Sequence, residues 1–373
     1  MKKHYFLGTA ADFSKNERIR MRKGRGNKED LKDLHDFLCQ EYGGKQVLIT
    51  RNGRSAIAAG LTYYLKEYLG FASGEVIING YTCYAVVQGI EAAGFKPVYA
   101  DINKNDLNFT LETLEKVVTK NTRAVIVQNT FGNMIDIEMV EKFCKEHKLV
   151  LIEDLAHSTG RFYADGREAG TVGDIVVFSF GKEKSIDVIN GGAVVFRDPK
   201  MTPVLKPEDR TPSDEEFRAR IYPTVGMIYR ALSYVKLNSL FMRLLLKIGW
   251  VKKSADAEVD FINSTLSDFQ AKMALSKLKD RHEIGEKPLR EFYLVRYRDE
   301  VLKKLRKAGY YFDAFWYERP VSPERYYKKV HFPEDKCPVA VEVSQKIVNI
   351  PTYYSKKALE KAHKIVKEYL DEK

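Results

Sequence analysis

The chain has 373 residues, 44% of them hydrophobic, and a net charge of +11 from 62 basic and 51 acidic side chains. That is enough apolar material for about two to three globular domains, yet no apolar run reaches the ~18 residues needed to span a bilayer. The opening "MKKHYFLGTAADFSKN" lacks the apolar stretch and small-residue cleavage site of a secretory signal, which predicts a cytoplasmic protein. Cys39, Cys83, Cys144 and Cys337 are too widely spaced for a zinc site or a disulfide scaffold, and no metal is expected. The excess of positive charge suits an acidic partner, but basic and acidic residues are mixed along most of the chain, unlike a nucleic-acid-binding arm.

From Lys45 to Asp198, short β-branched runs alternate with helical stretches, the pattern of a mainly parallel sheet covered by helices on both faces. The predicted strands are "VLIT", "EVIIN", "PVYADI", "RAVIVQN", "VLIED", "IVVFSF" and "AVVFRD". The helices are expected at "SAIAAGLTYYLKEYL", "YAVVQGIEAAG", "TLETLEKVV" and "IEMVEKFCKEH", where apolar residues recur at three- and four-residue spacing. The stretch "STGRFYADGREAGTVGD" has no helical period. Rich in glycine and polar residues, it reads as a functional loop beyond the carboxyl ends of the strands.

Prolines and charges in 199–215 predict a boundary, giving a large α/β domain with an N-terminal arm over 1–200, a helical excursion over 201–260 and a small α+β domain over 261–373. Between Glu216 and Asp256 there is no acidic residue, while Arg230, Lys236, Arg243, Lys247, Lys252 and Lys253 lie among large apolar side chains. The stretch 226–253 reads first as a helical excursion packed on the domain or on a dimer partner. Contact with an anionic membrane surface is the second reading.

Chemistry is carried by an acid at a strand end, Asp154 in "VLIEDLAH", and by "FSFGKEKSIDVINGG", which sets Lys182 and Lys184 between a buried strand and the glycine pair Gly191 and Gly192. A buried carboxylate needs a cationic or hydrogen-bonding partner, and a lysine near the core is costly to keep charged. Together with "EVIINGYTCYAVVQGIEAAGFKPVYADI" and, more weakly, "NSTLSDFQAKMALSKL", these segments resemble the DegT/DnrJ/EryC1/StrS sugar aminotransferases over most of residues 45–280. The resemblance implies the type I fold of pyridoxal-phosphate enzymes, with a mainly parallel seven-stranded sheet in the large domain.

It also implies roles for particular residues. Asp154 would meet the pyridine nitrogen of pyridoxal 5'-phosphate, His157 its phenolic oxygen and Ser179 its phosphate. Lys184, four residues after Phe180, would bond to the cofactor and carry protons between carbon atoms, leaving Lys182 toward solvent or phosphate. In "RNGRSAI", Gly53 and the amides of Arg54 and Ser55 would cradle the phosphate. The chain departs from the family pattern at several positions. The ring-stacking aromatic aligns with Cys83, leaving Cys83 or the adjacent Tyr84 to face the ring, and Arg54 replaces a threonine. Asp187 and Ile189 stand where small residues are common, and the motif ending in arginine reads Asn263, Ser264, Thr265. Asn263 would cross a homodimer interface to the neighbouring phosphate.

The expected function is transamination of a nucleotide-linked keto-sugar with glutamate as donor. The alternatives are sugar dehydration, whose enzymes carry histidine in place of the lysine, and a non-catalytic cofactor-binding regulator.

Overall fold

The structure, a computed structural model, describes residues 3–6, 14–201, 213–253, 256–311 and 317–371. The seven predicted strands all form: β1 Gln46–Thr50, β2 Glu75–Asn79, β3 Lys96–Ala100, β4 Thr122–Val127, β5 Val150–Asp154, β6 Ile175–Ser179 and β7 Gly192–Phe196. They make one sheet in the order β1-β7-β6-β5-β4-β2-β3, parallel throughout except for β7, which is antiparallel to both neighbours. These strands are apolar on both faces because both faces are covered. Val176 and Phe178 point into one core with Leu34, Leu38 and Phe143, while Ile175 and Val177 point into the other with Ile57, Val87 and Ile90.

The covering helices include α1 Lys15–Lys23, α2 Lys28–Glu41, α3 Gly53–Gly60, α4 Tyr84–Ala92, α5 Leu111–Glu115 and α6 Ile137–His147. α3 continues in π-helical form over Leu61–Tyr68. Beyond the sheet come α7 Ser213–Ser233, α8 Asn238–Lys247, α9 Asp268–Lys279, α10 Arg281–Ile284, α11 Arg298–Lys307, α12 Glu324–Tyr327, α13 Pro338–Lys346 and α14 Lys356–Lys367. An antiparallel pair, β8 Arg290–Leu294 and β9 Ile347–Pro351, carries a third core in which Val301, Leu305, Ile350, Leu359 and Val366 meet.

Two parts of the expected 261–373 unit reach back to the sheet. Phe269, Met273 and Leu278 of α9 enter the first core, and Ala340 and Val343 of α13 enter the second, because the apolar stripe of each helix needs the sheet face to bury against. The N-terminal arm goes the other way: Tyr5–Phe6 pairs in parallel with Tyr310–Tyr311. Most of the proline-bearing boundary, 202–212, lies outside the described residues.

Candidate active site

The carboxyl ends of β1, β2, β5 and β6 converge on a cavity of about 440 Å3 whose wall includes Gly53, Arg54, Cys83, Asp154, His157, Ser179 and Lys184. A second chamber of about 830 Å3 shares His157, Glu183 and Lys184 with it, so Lys184 stands where the two meet. At the start of α3, Asn52 caps the helix by accepting from the Ser55 amide at 2.9 Å. A Cβ added at Gly53 would lie 2.7 Å from Ser179 Cβ and 2.8 Å from its Oγ, so only glycine lets this helix start close against Ser179. The result is a helix N-terminus and a hydroxyl side by side, an arrangement suited to an anion. Ser55 is fully buried, and its hydroxyl accepts from the Asp260 amide at 3.0 Å. The buried Arg54 donates to the Ala257 carbonyl at 2.7 Å and to Gln88.

Asp154 and His157 lie at and just beyond the end of β5, both nearly inaccessible. Asp154 Oδ1 accepts from the Ala156 amide at 3.0 Å. Burial pushes its pKa up, while that amide and the charge of Lys184 pull it down. His157 Nδ1 accepts from the Phe131 amide at 3.2 Å, which leaves the proton of the neutral ring on Nε2. Lys184 Nζ lies 3.2 Å from that Nε2 and Tyr317 Oη 3.4 Å from it. Nε2–H therefore faces both the Lys184 amine and the Tyr317 hydroxyl. Burial lowers the Lys184 pKa and Arg290 adds to that, while Cys83, Asp154 and Glu183 offset part of it. His157 is itself held well below its usual value by burial and by the charges of Lys184 and Arg290, so it stays uncharged.

The loop carrying Lys184 is folded around Asp187, whose carboxylate accepts from the amides of Glu183 and Ile189, both at 2.9 Å. Glu183 and Ile189 adopt left-handed backbone, with φ of 67° and 82°. For a β-branched residue such as Ile189 that is a strained conformation. Two distant groups hold the loop in place. Gln270 of α9 donates to the Val188 carbonyl at 2.9 Å, and the buried Arg290 of β8 donates to Glu183 Oε2 at 3.2 Å.

The remaining predicted residues fall in different places. Lys182 is half-buried on the cavity wall, 4.1 Å from the centre of the Tyr222 ring, and burial brings its pKa down to about 8. Of the pair offered for stacking, Cys83 lines the cavity, whereas Tyr84 stacks on Tyr326 at 4.2 Å and does not. Asn263 is exposed and outside this wall, and Thr265 Oγ1 donates to the Ile49 carbonyl at 2.9 Å. The glycine-rich loop after β5 is wrapped around Glu153, which accepts from Tyr163 Oη and from the amides of Gly170, Val172 and Gly173. Of residues 158–174, only Arg161 reaches either chamber. Sequence reasoning missed Tyr222, Arg290 and Tyr317, which come from α7, β8 and the segment after 316. The one available signal was an arginine at the edge of the apolar run in "LREFYL".

A model of the DegT/DnrJ/EryC1/StrS aminotransferase family matches residues 18–369. Among curated proteins, the chain is 32% identical over 175 residues to UDP-4-amino-4,6-dideoxy-N-acetyl-beta-L-altrosamine transaminase of Helicobacter pylori, covering 46% of this chain and 45% of that one. It is 38% identical over 128 residues to GDP-perosamine synthase of Vibrio cholerae, covering 34% and 35%. These matches span less than half the length of either relative. Among solved structures, Helicobacter pylori PseC, an aminotransferase involved in the biosynthesis of pseudoaminic acid, superposes with a TM-score of 0.65 over 99% of both chains at 20% identity. The Spr1654 protein of Streptococcus pneumoniae does so with 0.66 over 98% of this chain and 96% of that one, at 16% identity. At those identities the likeness concerns the fold.

Proposed function

Because the chain belongs to the DegT/DnrJ/EryC1/StrS aminotransferase family, we propose that it is a pyridoxal-phosphate-dependent transaminase that turns a nucleotide-linked keto-sugar into an amino sugar, with glutamate as amino donor. The observation that carries this reading is the approach of Lys184 Nζ to His157 Nε2 at 3.2 Å, on a cavity wall that also holds Asp154 and the close-set Gly53 and Ser179. The residues fit the cofactor: the cradle that a Cβ at Gly53 would fill suits its phosphate, Asp154 suits its ring nitrogen, and the Cys83 sulfur offers a polarizable face to its ring.

When bound, pyridoxal phosphate supplies a cationic ring that accepts the electrons left when a Cα–H bond breaks. Asp154 would keep the proton on the ring nitrogen. His157, uncharged, donates from Nε2 and fixes the orientation of its neighbours. Lys184 would hold the cofactor through its Nζ, and the same amine would be the group placed to accept and return the donor's α-proton. The cofactor would carry the amino group from the donor, which is left as its oxo acid, to the sugar ketone. The relatives' names support a nucleotide-sugar acceptor, and the excess of basic residues suits its diphosphate. The reading includes a homodimer, in which exposed Asn263 would reach the phosphate site of the partner.

The test is spectroscopic. Protein mixed with pyridoxal phosphate should turn yellow, lose that absorbance with glutamate and regain it with a nucleotide-linked keto-sugar. Lys184→Ala should abolish the yellow adduct and Lys182→Ala should keep it; the reverse result overturns the assignment.

A further inference from the structure

The helices α7 and α8 pack against each other, and the hairpin they form turns an apolar face outward. On α8 the exposed residues Leu240, Arg243, Leu244, Lys247 and Ile248 follow one helical stripe, while Leu245 on the opposite side is buried. Leu240 and Leu244 are 66% and 55% exposed. At the end of α7 and in the turn after it, Met227, Ile228, Val235 and Leu237 are exposed as well, with Val235 at 62%. Exposed Trp250 lies edge-on to Phe217, their ring centres 5.7 Å apart. Large apolar side chains exposed along one helical stripe and in the turn beside it mark something that covers them.

The charges identify the occupant. Lys236, Arg243, Lys247, Lys252 and Lys253 are exposed beside these apolar side chains, and the sequence has no acid from 217 to 255. The acids in the first turn of α7 are already matched: Asp214 by Arg218, Glu215 by Arg51 and Glu216 by Arg220. If the α8 stripe met its own copy about a two-fold axis, Arg243 and Lys247 would oppose cations with no acid on α8 to answer them. A bilayer of anionic phospholipid answers both features, with phosphates for the lysines and arginines and an acyl boundary for the leucines and the tryptophan. No helix among the described residues is long and apolar enough to cross a membrane, so the hairpin would lie on the surface.

We propose that the α7–α8 hairpin docks this protein on an anionic phospholipid surface. The inference does not depend on the transaminase reading. The C-terminal end of the hairpin, Trp250 to Lys253, also forms part of the site wall, so docking holds the mouth of the cavity near the lipid headgroups.

The experiment is flotation of the full chain with vesicles of phosphatidylcholine alone or mixed with phosphatidylglycerol. The protein should float with the anionic vesicles, stay behind with the neutral ones, and be released by high salt. The combined variant Leu240→Ser, Leu244→Ser, Ile248→Ser should weaken anionic binding roughly tenfold or more while leaving the thermal unfolding profile in place. Arg243→Gln with Lys247→Gln, which leaves the apolar face intact, should weaken anionic binding too and serves if the first variant misfolds. Failure to float with anionic vesicles, equal flotation with neutral ones, or unchanged flotation of both variants overturns the proposal. So does an oligomer, measured by sedimentation, that the serine variant dissociates while wild type ignores lipid: the face would then belong to a second copy.

Discussion

The loops that leave β5 and β6 start side by side at the same edge of the sheet, yet one is held from within and the other from outside. After β5 the chain is rich in glycine and polar residues and encircles Glu153, a fully buried carboxylate satisfied by four donors; only its first residues, Ala156 and His157, reach the first chamber. After β6 the chain crowds Lys182, Glu183, Lys184 and Asp187 into six residues, bends through two left-handed non-glycine positions, and is anchored by Gln270 and Arg290 from remote elements. Glycine content thus marks backbone that can wrap around a buried acid. Enclosed charge and strained backbone mark the chemistry, since neither lowers the energy of the fold on its own.

Neighbouring acids on β5 let this contrast be broken. Asp154→Asn should lower turnover roughly 10^2–10^4-fold, the range for a group that manages a proton in the transition state. Its effect on the cofactor-free protein should be small or stabilising, because burial already disfavours the Asp154 charge and the amide side chain can still accept from Ala156. Glu153→Ala should do the opposite. Removing a buried carboxylate leaves three amides and a hydroxyl without their acceptor, a loss of about 3–5 kcal/mol in urea unfolding. The folded fraction should keep its turnover. If Glu153→Ala slowed the reaction without destabilising the protein, the loop after β5 would be catalytic and the contrast would fail.

How legible each loop was in the sequence follows from the range of the forces that shape it. The seven strands were visible because a strand buried on both faces must be apolar throughout, and short runs such as "IVVFSF" carry that property locally. The convergence of Asp154 and Ser179 followed from their positions at strand ends, and Lys184, five residues beyond β6, was picked out by the resemblance to the family. Local sequence did not show that Glu153 rather than its neighbour organises the glycine-rich loop, since both are acids at the same strand end. The direction each faces depends on pleat register and on donors up to twenty residues away. Arg290 and Tyr317 were invisible for the same reason on a longer scale: the former meets Glu183 across 107 positions and the latter His157 across 160. Tyr84 was drawn away from the cavity by Tyr326, a stacking partner that no local pattern announces.

The smallest expected effect concerns Lys182, which the sequence placed toward solvent or phosphate and the structure places against Tyr222. Its pKa falls from an ordinary 10.5 to about 8, mainly through burial, with Asp187 and Glu183 opposing the shift. Below about pH 8, folded and unfolded chains both hold the proton, and the folded state bears the whole cost of enclosing a charge. Between 8 and 10.5 the folded protein sheds a proton that the unfolded chain keeps, so native stability rises with pH across that window. Lys182→Met should therefore be more stable than wild type at pH 7, by a margin that shrinks steadily as urea unfolding is repeated toward pH 10. Lys184, whose pKa is also lowered, is present in both proteins and cancels from the difference. A margin that stayed constant with pH would mean that the ammonium of Lys182 is solvated after all. The enclosed charge that sets the second loop apart from the first would then belong to Lys184 and its carboxylates alone.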